Sequence, residues 1–124
     1  MNFRNNLYFI DAENRTDSGV SYSLRLNADH VIYKAHFPGE PITPGVCILQ
    51  MGFELLSEAV AERLEISCVK NVKFLSILRP DCAPLTAEVQ KIVADGDTVK
   101  AQISFSSADT AIAKISLVCR RIAE

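Results

Sequence analysis

Three residues within one fifteen-residue window could do chemistry together: His36, Gly45 and Gln50. A histidine titrates near neutral pH and suits general acid–base work, although the same residue can also pack against a turn and bond a backbone carbonyl. Gly45 follows Thr43-Pro44 and opens a strongly apolar run. If that run is a helix, its first N–H groups and positive dipole end offer a place for a developing oxyanion. A glycine there lets a reacting oxygen come close to the backbone. Gln50 is the only polar side chain between Gly45 and Phe53. A polar group in a buried apolar stretch must find a partner, so Gln50 either bonds backbone or faces a polar cavity.

The elements that must position these residues are legible from pattern. Phe37-Pro38-Gly39-Glu40-Pro41-Ile42-Thr43-Pro44-Gly45 is a loop dense in proline and glycine. A helix is expected from about Pro44 to Leu64, with Thr43 as N-cap and Pro44 at the first helical position, where its missing N–H costs nothing. The first half, Val46 to Phe53, is apolar nearly all round, so it should be buried on most sides, as if a sheet wraps it. The later part, Glu54 to Arg63, is amphipathic and should emerge toward solvent. Before the helix, Leu7 to Glu13 and the alternating run Val20 to Leu26 read as strands, separated by the turn Asp17-Ser18-Gly19. Val31-Ile32-Tyr33 is short and apolar. After the helix, Val69 to Leu78, Leu85 to Ala94, Val99 to Ser106 and Ala111 to Ile122 read as four more strands, with a hairpin at Asp95-Gly96-Asp97. Short turns between successive strands imply an antiparallel sheet and an α+β domain.

Bulk properties bound the function. The chain has 124 residues, enough for one domain with a real core, and 48% of them are hydrophobic. A formal net charge of -2 gives no surplus for nucleic acid. No run of about 18 apolar residues occurs, so no membrane span is expected, and the N-terminal residues lack the apolar core of a signal peptide. The expected location is the cytoplasm. Cys47, Cys68, Cys82 and Cys119 form neither a CxxC pair nor a zinc spacing and are expected to be small buried hydrophobes. No metal site is visible.

The segment from His36 to Gln50 closely resembles the motif of the FabZ/FabA-type (3R)-hydroxyacyl-acyl-carrier-protein dehydratases. That motif runs His-Phe-Pro, a later proline, then Pro-Gly-Val opening a helix that bears a catalytic Glu, or Asp in the FabA branch. Lys73-Phe74 followed by Arg79-Pro80 resembles the family's strand after the helix, which ends in an Arg-Pro turn. The family's Pro-Gly-Asp beyond that turn is replaced by Ala83-Pro84-Leu85. The resemblance implies a hot-dog fold over residues 1–124, a curved antiparallel sheet wrapped around one long helix. It implies no cofactor, a substrate carried as an acyl carrier protein or coenzyme A thioester, and a dimer, with a trimer of dimers as a further possibility. An exposed sheet edge that needs pairing agrees with a dimer.

Carried over residue by residue, the resemblance makes His36 the base that removes the α-proton of a 3-hydroxyacyl thioester. It makes the Gly45 N–H the donor to the thioester oxygen, and position 50 the acid that protonates the leaving hydroxyl, contributed by the other subunit. Phe37, Pro44, Val46, Ile48, Met51 and Phe74 become the candidates for the acyl-binding surface. The departure is Gln50, which neither gives nor takes a proton at neutral pH. Loss of a general acid typically costs roughly 10²–10⁴-fold in rate. Glu54, one turn on along the same face, is a possible substitute acid, although about 6 Å too far along the axis. Glu40 in the loop is a weaker one. Three readings follow: a 3-hydroxyacyl-acyl-carrier-protein dehydratase, a catalytically reduced subunit that binds acyl carrier protein or an active paralogue, and a hot-dog thioesterase.

Overall fold

A computed structural model of the chain describes residues 2–35, 39–82 and 84–122. His36, Phe37 and Pro38 therefore lie outside the described residues. The element order is β1 (Tyr8–Thr16), β2 (Gly19–Leu26), α1 (Val31–Ala35), α2 (Gly45–Val60), β3 (Leu64–Phe74), β4 (Leu85–Asp95), β5 (Thr98–Ser107) and β6 (Thr110–Arg121). The six strands form one antiparallel sheet in the order β1-β2-β4-β5-β6-β3. This is the hot-dog architecture. The chain crosses from β2 to the far edge by way of α2, lays down β3, then fills the centre of the sheet.

Burial alternates along β4, β5 and β6 and places one face of each strand on α2. Ala87, Val89, Ile103, Phe105, Ile115 and Leu117 are buried there, against Met51, Leu55 and Leu56 of the helix. Gly52 faces the sheet at ordinary contact range: a Cβ built on it would stand 3.5 Å from Ile115 and 3.6 Å from both Ile103 and Phe105. The hairpin between β4 and β5 turns at Asp95-Gly96-Asp97 as the Asp-Gly pair predicts, with Gly96 at φ 59°. No helix among the described residues is long and apolar enough to cross a membrane.

Several expectations need correction. The apolar triplet Val31-Ile32-Tyr33 forms α1, a five-residue helix. The main helix stops at Val60 rather than Leu64. Ala61 adopts the left-handed conformation (φ 55°, ψ 42°), its N–H donates to the Glu58 carbonyl, and the Glu62 N–H donates to the Ser57 carbonyl. Those two reversed bonds satisfy carbonyls that the helix leaves open, the usual work of a glycine stop. Without a glycine or proline to mark it, the stop is silent in sequence. Leu64 is thereby freed to start β3 five residues earlier than expected, and the strand ends at Phe74 rather than Leu78.

The first half of α2 is also less enclosed than its composition suggests. Cys47, Ile48 and Met51 are buried, but Val46 is 72% exposed. Among the cysteines, Cys47 and Cys119 are buried, Cys82 is half-buried, and Cys68 is exposed on β3.

Candidate active site

The start of α2 is built without a side-chain cap. Pro44 occupies the N-cap position (φ -60°, ψ 146°) and the helix begins at Gly45. Thr43, expected as the cap, is spent elsewhere. Its hydroxyl is hydrogen-bonded to the Tyr33 phenol at 2.8 Å in a buried pair, and its N–H donates to the Leu78 carbonyl at 2.8 Å. A buried hydroxyl gains more from a fixed buried partner than from a cap open to water, and the Tyr33 contact pins the end of the loop to α1. The Pro44 carbonyl accepts from the Cys47 and Ile48 N–H groups at 3.0 and 3.2 Å. Among the described residues, the Gly45 and Val46 N–H groups have no hydrogen-bond partner. These are the free donors a helix start provides. The Phe74 ring lies directly over Gly45: a Cβ there would stand 2.8 and 2.9 Å from two ring carbons. Only a glycine admits that contact.

Val46, Gln50, Glu54 and Glu58 follow at successive i, i+4 spacings and form one row along α2. Gln50 is half-buried, and its Nε2 donates to Glu54 Oε2 at 2.9 Å. Glu54 takes three further bonds from the N-terminal segment. The Phe3 N–H donates to Oε2 at 2.8 Å, the Arg4 N–H to Oε1 at 2.9 Å, and the Tyr8 hydroxyl to Oε1 at 3.0 Å. Burial, and then the neighbouring Glu54 charge, push the Tyr8 phenol well above its ordinary range, so it stays a donor. The Arg4 guanidinium pairs with Glu58. The N-terminal segment thus lies across the Glu54–Glu58 end of the row. At the edge of that cover an open groove of about 1160 Å³ begins, lined by Gln50, Phe53, Glu54 and Ser57 of the helix together with Asn2, Arg4, Arg120, Arg121 and Ile122.

The structure therefore brings Gly45, Val46 and Phe74 to the helix start, and sets Gln50 one turn along from Val46. Pro44 is half-buried beside them. Ile48 and Met51, expected on the acyl-binding surface, are 2% and 0% exposed; as packed they are core side chains and do not border the groove. Glu54, expected one turn on along the same face, is in contact with the Gln50 amide, and its four partners among the described residues are all donors. Glu40 is exposed in the loop. His36 and Phe37 lie outside the described residues. Sequence reasoning missed the anchoring of residues 3–8 by Glu54. The partners of that carboxylate are 46 to 51 positions away, and the only local signal was its i+4 spacing from Gln50.

Comparison with known proteins bears on this arrangement. The 3-hydroxyacyl-[acyl-carrier-protein] dehydratase FabZ of Lactiplantibacillus plantarum is 29% identical over 99 residues, 78% of this chain and 62% of that protein. The chain thus spans somewhat under two thirds of that relative's length. Among solved structures, the dehydratase heterocomplex ApeI:P from Xenorhabdus doucetiae superposes with a TM-score of 0.67 at 18% identity, covering 91% of this chain and 97% of that one. A hypothetical thioesterase from Streptococcus pneumoniae TIGR4, solved with coenzyme A, gives 0.68 at 11% identity, over 94% and 87% of the two chains. At such identities these two share the fold and no more. The family model described as ApeI-like, ApeI dehydratase, matches residues 12–115. With most of its sheet and all of its central helix inside that match, the chain belongs to the ApeI-like dehydratase family.

Proposed function

We propose that this protein dehydrates 3-hydroxyacyl thioesters, carried on acyl carrier protein or coenzyme A, to trans-2-enoyl thioesters. The observation that carries the reading is the pair of N–H groups at Gly45 and Val46, without partners among the described residues, with Gln50 one turn further along the same helix. Two donors at a helix start are suited to hold a thioester oxygen as it gains enolate charge. The motif assigns the base to His36, which takes the α-proton. An amide at position 50 holds the 3-hydroxyl but cannot protonate it. The proton for the departing hydroxyl must then come from the imidazolium that His36 has just become. The α C–H and the C3–O bonds break, the double bond forms, water leaves, and His36 returns to neutral.

The test is interconversion of a 3-hydroxyacyl thioester and its enoyl product by wild type, His36→Ala and Gln50→Glu. Turnover by wild type that is lost in His36→Ala supports the dehydratase reading. Wild type without turnover in either direction on both carriers sinks it. A second reading, a subunit with reduced catalysis that serves an active partner, is favoured by the amide at 50 and by a Glu54 carboxylate already bonded to four donors. Inert wild type with activity gained in Gln50→Glu is its signature. Release of free thiol instead of enoyl product would mark a thioesterase.

The assembly we propose is a dimer. β3 is an edge strand, and Ile66, Val69 and Phe74 on it, with Val46, Leu75 and Ile77 nearby, are exposed apolar side chains. An apolar edge strand of this kind is normally covered by pairing. Light scattering should give twice the chain mass for wild type, and Val69→Lys should reduce it toward one chain. A monomeric wild type at micromolar concentration refutes the dimer.

A further inference from the structure

We propose that Glu54 is a positioning residue for Gln50, and that the pair recognises the substrate's 3-hydroxyl as a hydrogen-bond donor. The inference rests on the dehydratase reading above and adds the residue that makes a glutamine serviceable in that site. A glutamine amide has two ends of nearly equal size and opposite hydrogen-bonding sense, and an unconstrained one flips between them. Against Glu54 it has no choice. A carboxylate that accepts from the amide must face Nε2, and it does so at 2.9 Å. Nor can Glu54 swing to follow a flipped amide, because the Phe3 N–H, the Arg4 N–H and the Tyr8 hydroxyl hold both of its oxygens from a different part of the chain.

The carbonyl end of Gln50 is therefore turned to the side away from Glu54. A carbonyl oxygen has two lone pairs, so it can accept a substrate hydroxyl along with any other donor it holds. An acceptor fixed in this way favours a 3-hydroxyacyl group and disfavours a 3-oxoacyl group, whose own oxygen only accepts. An acid at position 50 would tolerate both, since a protonated carboxyl can donate. The discrimination expected from one oriented hydrogen bond in a half-buried site is roughly tenfold.

Binding separates this inference from the dehydratase reading because it needs no turnover. In the His36→Ala background, 3-hydroxybutyryl-coenzyme A and acetoacetyl-coenzyme A are titrated calorimetrically against proteins with Glu54 or with Glu54→Gln. The expected result is roughly tenfold preference for the hydroxy compound with Glu54, falling toward unity with Glu54→Gln, because two amides pair in either sense. Equal binding of the two compounds, binding of neither, or a preference that survives Glu54→Gln overturns the proposal.

A second measurement reads the contact itself. In Gln50→Glu, two carboxyl groups meet at hydrogen-bond distance and cannot both ionise freely. Among the described residues, the charged or titratable groups around them are Tyr8, Arg4 with its partner Glu58, and Glu62, Arg63, Asp97, Arg120 and Arg121, which line the same groove. Carbon-13 NMR of the side-chain carboxyls should show a shift of one group, which holds its proton to higher pH than a lone carboxyl because its neighbour is already charged. That shift should vanish in Gln50→Glu/Glu54→Gln. Ordinary titration of both groups in Gln50→Glu refutes the pairing. Failure of wild type to interconvert the thioesters, with the binding preference intact, would instead count against the dehydratase reading alone.

Discussion

Replacing Glu54 by alanine should cost far more stability than a half-exposed helix carboxylate normally contributes. The substitution removes four hydrogen bonds, and their fates differ. The Arg4 N–H and the Gln50 amide border the open groove, where water replaces the carboxylate at little net cost. The Tyr8 hydroxyl belongs to a fully buried residue, and the Phe3 N–H belongs to a residue only 7% exposed. Each is left without an acceptor, and stranding a buried donor costs about 1–3 kcal/mol. The expected loss is about 4 kcal/mol, a large share of the 5–15 kcal/mol that is typical for a domain. At this chain length that lowers Tm by about 15 °C. Urea unfolding of wild type, Glu54→Ala, Tyr8→Phe and the double variant measures it. Tyr8→Phe alone should cost about 1 kcal/mol, and the double variant should lose less than the two single losses added, because it no longer strands the phenol. A Glu54→Ala loss under about 1 kcal/mol, or strict additivity with Tyr8→Phe, would refute the view that this carboxylate ties down the N-terminal segment.

Gly52 gives a two-sided prediction. Alanine fits at ordinary contact distance from Ile103, Phe105 and Ile115 and improves helix propensity, so Gly52→Ala should gain about 0.5–1 kcal/mol, whereas Gly52→Leu should lose about 3 kcal/mol or more by forcing helix and sheet apart; chemical denaturation checks both. Gly45→Ala should displace the Phe74 ring and crowd the free N–H groups, lowering kcat/KM for enoyl-thioester hydration by about 10²-fold with little change in Tm, and Phe74→Ala in the same chain should recover part of the loss. Burial pushes the Cys119 thiol up to about 11 from an ordinary 9.0. Between those values the unfolded chain loses a proton that the folded chain keeps, so stability should fall as pH rises from about 9 to 11, less steeply in Cys119→Ala, as urea midpoints at pH 8.5, 10 and 11 would show.

Much of the scaffold was legible because its signals are local. The alternating run of β2, the apolar runs of β4, β5 and β6, the Asp-Gly hairpin and the proline-glycine entry to α2 each carry their own physical cause, and each element stands close to where it was expected. What escaped was set by distant partners. Thr43 has the right chemistry for a cap, and only the position of Tyr33 decides that its hydroxyl goes elsewhere. The end of α2 depends on one alanine accepting a left-handed conformation, which no residue type announces. Val46 reads as core from its neighbours, yet it faces outward because the sheet encloses only part of the helix. At the candidate site, sequence singled out position 50 and its neighbour at 54 but read them as alternatives for one role. Their hydrogen bond makes them a unit, and the anchoring of Glu54 by residues 3–8 depends on contacts across 46 or more positions.

The groove beside Gln50 has one further property. Asn2 and Arg4, near one end of the described chain, and Arg120, Arg121 and Ile122, near the other, all line it. A small group attached to the side chain at position 2 or 122 would therefore sit beside this cavity. A donor and an acceptor dye placed at positions 2 and 122 would both border the groove, and a change in their transfer efficiency on adding a thioester would report its occupancy.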